Sequence, residues 1–273
     1  MRNIFALLML FPMILFSSAS HSAISQQRAP DETFQQALKR AEMDRADQMF
    51  FIRDTPIKRK TVISEINFSM APEVSTFDEL IQMFYLIRDS RFLYSKKNPD
   101  FSRRISWLYP DDGCFARAAL SGMKLDDNKL IRPMKIFAFG DLAIETPYSP
   151  SGSVSWWYHV AGVVRFMGAN YVLDPALNPY TPLLVEDWFI QMGNTESLTG
   201  VVCNSFTYDP FDDCFKATKK SDQHAQRDQL IYLNKEWNRL ASLGLDPVIL
   251  LGTNPPWIPE YSIYYQQSLP EAL

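Results

Sequence analysis

The chain has 273 residues, 47% of them hydrophobic and only ten of them glycine, which is enough apolar content for one sizeable core and too much for a disordered chain. Its formal net charge is −4, with no Lys/Arg stripe beyond Lys58-Arg59-Lys60, and this argues against nucleic acid and against an anionic membrane as partners. Repeats, low-complexity tracts and a Gly-rich phosphate loop are all missing from the sequence.

The first residues form a short basic start, Met1-Arg2-Asn3, then the apolar run "IFALLMLFPMILF" at 4–16, too short to span a bilayer, then the small-residue stretch "SSASHSA". This pattern predicts a signal peptide over 1–23, cut between Ala19 and Ala23, and a mature chain that is periplasmic or secreted, with no membrane attachment after cleavage. "APDETFQQALKRAEMDRADQMFF" (29–51) is rich in helix formers of both charges and reads as a solvated helix. "TPIKRKT" after it is a basic, turn-rich site of the kind exposed to trypsin-like cleavage, and "TVISEINFS" (61–69) is a roughly alternating strand. Thr76 stands three residues ahead of Glu79, a capping box for a core helix through "FDELIQMFYLIRDS". A helix is predicted from Cys114 through "CFARAALSGM", with Asp111 or Asp112 as its N-cap. Strands follow at 134–139, 155–166 and 170–174, then helices at 183–192 and around 226–243. Helices at both ends of an antiparallel strand group make an α+β fold.

Three cysteines occur: Cys114, Cys203 and Cys214. The last two flank Pro210 and the Asp212-Asp213 turn, so a bridge between them closes a loop of about ten residues and contributes on the order of 2–3 kcal/mol. Cys114 is then the odd one. An odd thiol in an oxidising compartment is a reactive group, a buried spectator or an intermolecular partner, and arithmetic leaves these open. Position adds to the first reading, because the amides and positive end of a helix N-terminus favour a thiolate and can face a developing oxyanion. In the bland alternative Cys114, Ala118 and Leu120 pack inward while Arg117 faces solvent.

A thiolate nucleophile needs a base. Of the three histidines, His21 lies in the leader and His224 in the polar stretch "KKSDQHAQRD", which leaves His159. Alternation along "SWWYHVAGVV" places Trp157, His159, Ala161 and Val163 on one face and Trp156, Tyr158, Val160 and Val164 on the other. If Met167-Gly168 is the tip of a hairpin, Phe166 pairs with Ala169, and Asp174 becomes the diagonal neighbour of His159 on the same face. Asp174 then either orients the histidine or simply ends the strand ahead of Pro175.

"DGCFARA" with Cys114, "WYHVAGVV" with His159 and "YVLDPAL" with Asp174, in this order, resemble the bacterial protein-glutaminase family, the protein-glutamine deamidases. The likeness is dense over about residues 107–180. It implies a papain- or transglutaminase-like core with the nucleophile on a helix N-terminus against an antiparallel sheet, and a Cys114-His159-Asp174 triad. It further implies hydrolysis of glutamine side-chain amides in proteins or peptides through a thioester, with no metal and no cofactor; the chain is expected to be a monomer. The backbone N–H of Cys114 is one oxyanion donor and the Trp107 indole a candidate for the second. The family's pro-segment makes residues 24–70 comparable in place to a removable cover, with 71–273 as the catalytic domain. A transglutaminase-like or papain-like cysteine enzyme would use the same triad, and a non-catalytic exported binding module is the remaining alternative.

Overall fold

The structure, a computed structural model, describes residues 24–45 and 52–258. The expected signal peptide and the end of the first expected helix lie outside the described residues.

The elements in chain order are α1 (Phe34–Asp44), α2 (Pro56–Arg59), β1 (Thr61–Val62), a 3-10 turn (Ile63–Glu65), α3 (Phe77–Asp89) and α4 (Cys114–Asp127). Then come β2 (Met134–Glu145), β3 (Ser153–Phe166), β4 (Ala169–Leu173), β5 (Leu183–Leu184), α5 (Val185–Met192), β6 (Thr199–Cys203), α6 (Lys220–Ser242) and α7 (Pro247–Leu251). The six strands among the described residues form one sheet in the order β1-β6-β2-β3-β4-β5, with every neighbouring pair antiparallel. The fold is therefore α+β.

Local chemistry sets several of these elements. The Thr76 hydroxyl accepts from the Glu79 N–H at 3.1 Å and starts α3. α1 starts at Thr33, which forms a capping box with Gln36. At the β3–β4 tip, Met167 (φ 50) and Gly168 (φ 80) both take positive φ, and Phe166 pairs with Ala169. That is the two-residue hairpin geometry, and it keeps the register in which Asp174 leaves β4 next to His159.

Alternation along the central strands feeds two cores, one on each face of the sheet. Phe137, Phe139, Val160, Val164, Val201 and Cys203 face α3, α4 and α6; Ile136, Ala138, Ala161, Val163 and Val202 face α5 with Trp188 and Phe189. Each fully buried large apolar side chain contributes about 1.5–3 kcal/mol. The alternation expected for β3 does not persist along the whole strand. Between Phe139↔Tyr158 and Leu142↔Trp156 the register shifts, so three steps of β2 oppose two of β3. Trp157 consequently packs with Phe139 and Phe211, and Trp156, not Trp157, shares the side of His159.

The stretch ahead of α3 is woven into this framework. Thr61 and Val62 pair with β6 as an edge strand, and α1 buries Ala37 and Ala41 completely. Cys203 and Cys214 are bridged, and their loop is tied to the N-terminal stretch by the Cys214 N–H on the Asp54 carbonyl (2.7 Å) and the Ile57 N–H on the Pro210 carbonyl (3.3 Å).

Candidate active site

Helix α4 begins at Cys114, and the backbone before it explains how. Gly113 is the N-cap at φ 90, and a Cβ there would stand 2.8 Å from the Tyr232 ring, so only glycine satisfies both demands. The expected aspartate cap is not made, because both aspartates are engaged elsewhere. Asp112 Oδ1 accepts from the N–H of Gly113 (2.8 Å) and of Gln26 (3.2 Å), while Arg239 grips both Asp111 oxygens at 2.7 and 2.9 Å. The N–H of Cys114 is thereby left for another acceptor, and it donates to Oε1 of Gln26 at 3.1 Å.

The thiol of Cys114 is fully buried and is the free cysteine among the described residues. Burial pushes it above its ordinary pKa. Against this act the charge of Arg117 and the backbone N–H of Val160, the residue after His159; Asp112 and Asp174 add to the upward push. Arg117 is not the solvent-facing residue of the bland reading: it is buried, and Nη1 donates to the carbonyls of Tyr109 (3.0 Å) and Asp112 (2.7 Å). It places a fixed positive charge under the first turn of α4.

His159 and Asp174 come together. Nε2 of His159 lies 2.7 Å from Oδ2 of Asp174, and both side chains are buried. A carboxylate at that distance sets the proton on Nε2 and leaves Nδ1 as the acceptor. Nδ1 is buried with no hydrogen-bond partner, an orphan acceptor on the ring whose neighbour, Val160, touches the thiol. The ring is held by stacking on Trp156 (centroids 4.7 Å, 12° between planes).

Two contributors were not visible in the sequence. Trp188, from α5, donates its indole N–H to the same Asp174 Oδ2 at 2.9 Å. Burial pushes the Asp174 carboxyl up, but the charge and hydrogen bond of His159 and the bond from Trp188 outweigh it and hold it below the usual carboxylate range. Gln26 is the other, reaching the site from a stretch far upstream. Trp107, a candidate oxyanion donor from sequence, is committed elsewhere: its indole donates to the Ile87 carbonyl at 3.3 Å.

Outside this buried centre a surface cavity of about 380 Å³ is lined by Pro110, Tyr148, Pro175, Tyr180 and Trp257. Pro110 is shared, since its carbonyl accepts from Gln26 Nε2 (3.3 Å) and from the Trp156 indole (3.1 Å). Among the described residues no group of His, Cys, Asp and Glu could hold a metal, and no helix is long and apolar enough to cross a membrane.

Residues 80–192, the stretch that carries Cys114, His159 and Asp174, match the family described as Glutaminase. No curated protein is a significant match. Among solved structures, the crystal structure of pro-protein-glutaminase is similar at 22% identity and a TM-score of 0.44, over 65% of this chain and 64% of that one. The chain thus spans about two thirds of the length of that pro-form. The crystal structure of protein-glutaminase is similar at 23% identity and a TM-score of 0.40, over 70% of this chain and 96% of that one. The NMR structure of protein-glutaminase from Chryseobacterium proteolyticum is similar at 22% identity and a TM-score of 0.41, over 71% and 98%.

Proposed function

We propose that this chain is an exported deamidase that hydrolyses glutamine side-chain amides in proteins or peptides to glutamate and ammonia. In this reading Cys114 is the nucleophile. His159 takes the thiol proton at Nδ1 and delivers it to the departing ammonia, and Asp174 fixes the tautomer and stabilises the imidazolium. The amide oxygen develops negative charge against the Cys114 N–H, and water then hydrolyses the thioester. Residues 1–23 serve as the signal peptide and 71–273 as the catalytic part. The match of residues 80–192 to the glutaminase family supports the substrate class.

The observation that carries the proposal is a glutamine carboxamide already in place, with the side-chain oxygen of Gln26 on the N–H of Cys114 at 3.1 Å. This is the contact that an amide substrate of the thiol would make, at the distance expected of an oxyanion donor. The test is ammonia release from casein by the wild type and by Cys114→Ala. Release by the wild type alone, with neither new peptides nor crosslinks, supports deamidation. New peptides indicate a protease, crosslinks a transglutaminase, and no reaction a binding module.

A further inference from the structure

We propose that Gln26 is this enzyme's own substrate, so that the chain deamidates itself at residue 26 and thereby opens its active site. The inference rests on the deamidase reading above and deepens it.

The stretch 24–28 lies as a strap along the β3 edge that β4 does not cover. Its backbone is paired like an added strand, with the Trp157 N–H on the Gln26 carbonyl and the Arg28 N–H on the Ser155 carbonyl, both at 3.0 Å. Side chains of β3 hold it as well: the Trp157 indole donates to the Ser25 carbonyl (2.9 Å) and the Tyr158 hydroxyl to the Ile24 carbonyl (2.6 Å). Gln26 is completely buried, and every polar group it has is engaged: N–H on Asp112, carbonyl on Trp157, Oε1 on the Cys114 N–H and Nε2 on the Pro110 carbonyl. A buried glutamine so fully satisfied, with its amide oxygen on the nucleophile's own N–H, is bound in the manner of a substrate.

The chemistry balances with water as the only co-reactant. The Cys114 sulfur adds to Cδ of Gln26, and the thiol proton passes through His159 to Nε2. The C–N bond breaks, ammonia leaves and a thioester remains. Water then cleaves the C–S bond, leaving a glutamate side chain at position 26 and restoring the thiol. The product fits the strap's seat badly. An oxygen replaces the Nε2 donor opposite the Pro110 carbonyl, and a carboxylate is buried beside the Asp112 side chain that holds the Gln26 N–H. The deamidated side chain therefore leaves, and the pocket is vacated for other glutamines. The expected leader cleavage ends at Ala23, just ahead of the strap, so the freed end is short.

The experiment incubates the full chain, digests it, and assigns residues 26 and 27 by fragment-ion mass spectrometry, with exposed Gln27 as the internal control. The expected result is a gain of about 1 Da at residue 26 alone in the wild type, with Gln26 unchanged in Cys114→Ser. Gln26→Glu should start releasing ammonia from an external glutamine peptide without the lag of the wild type. Gln26 left intact in a preparation that does act on the external peptide overturns the proposal and leaves the deamidase reading standing. Conversion in Cys114→Ser also overturns it, as spontaneous chemistry. Activity on neither Gln26 nor the external peptide sinks both.

Discussion

Asp174 accepts from His159 and from Trp188 on a single oxygen, Oδ2, at 2.7 and 2.9 Å. Its other oxygen takes the Ala176 N–H at 3.2 Å, so the carboxylate is locked on both sides. Asp174→Asn keeps the shape and presents an amide where His159 needs an acceptor. Ammonia release should fall roughly a thousandfold or more with the melting temperature little changed. Near-normal turnover in this variant removes Asp174 from the mechanism.

In the proposed mechanism Trp188 is a positioning residue, holding Asp174 through its indole N–H and lying against the His159 ring at 5.7 Å between centroids. Trp188→Phe removes one of the donors that hold the Asp174 carboxyl below its ordinary range, so protonation of that carboxyl moves to higher pH. The acid limb of the pH–rate profile should shift upward, with a loss of about tenfold at the optimum, corresponding to about 1.4 kcal/mol of barrier. A reduced rate with an unmoved acid limb would mean that the indole serves only packing.

The thiol and the disulfide make a paired expectation. Non-reducing peptide maps should show Cys203 joined to Cys214 and Cys114 free. Iodoacetamide should react with native Cys114 only as fast as the strap opens, and Gln26→Ala should raise that rate by at least about tenfold by weakening the strap. Labelling of wild-type Cys114 at the rate of free cysteine counts against the seal.

Lys135, on β2, is completely enclosed, its Nζ has no hydrogen-bond partner, and burial pulls its pKa down to about 7. Between that value and the unfolded lysine pKa of about 10.4, the unfolded chain binds a proton that the folded chain does not. Stability from this group therefore rises with pH across that window. The melting temperature of the wild type should gain on that of Lys135→Met as pH goes from about 7 to 9, with the variant the more stable at the lower end. A constant gap between the two over that range refutes the assignment.

What the sequence made legible was local. Thr76 with Glu79, the glycine at the hairpin tip and the Cys-to-Cys spacing each act within a few residues, and α3, the β3–β4 register and the disulfide follow from them. Of the candidate site, those local devices reach two features, Cys114 at a helix start and Asp174 beside His159 at the end of the hairpin. Trp188 was not, because an indole in an apolar helix reads as core until the fold turns its N–H toward a carboxylate fourteen positions away. Gln26 was not, because one glutamine ahead of a polar helix carries no local signal, and its contact with Cys114 spans 88 positions. The break in the β3 alternation at Trp157–Tyr158 depends on an extra residue in β2, which alternation within β3 alone does not encode.

The two-residue strand β1 bears on where this chain can be shortened. Lys60 immediately precedes Thr61, and Thr61–Val62 are the residues that cover the outer side of β6. A cut after Lys60 sends the strap and α1 away with the N-terminal piece and leaves the sheet's margin capped. A truncation that starts after Val62 bares the row of unpaired amides and carbonyls along β6, beside apolar Val201 and Val202, which is a template for pairing with another molecule. Two truncations whose start points differ only by Thr61 and Val62 should therefore part company in solubility: one stays monomeric on concentration, and the other associates edge to edge.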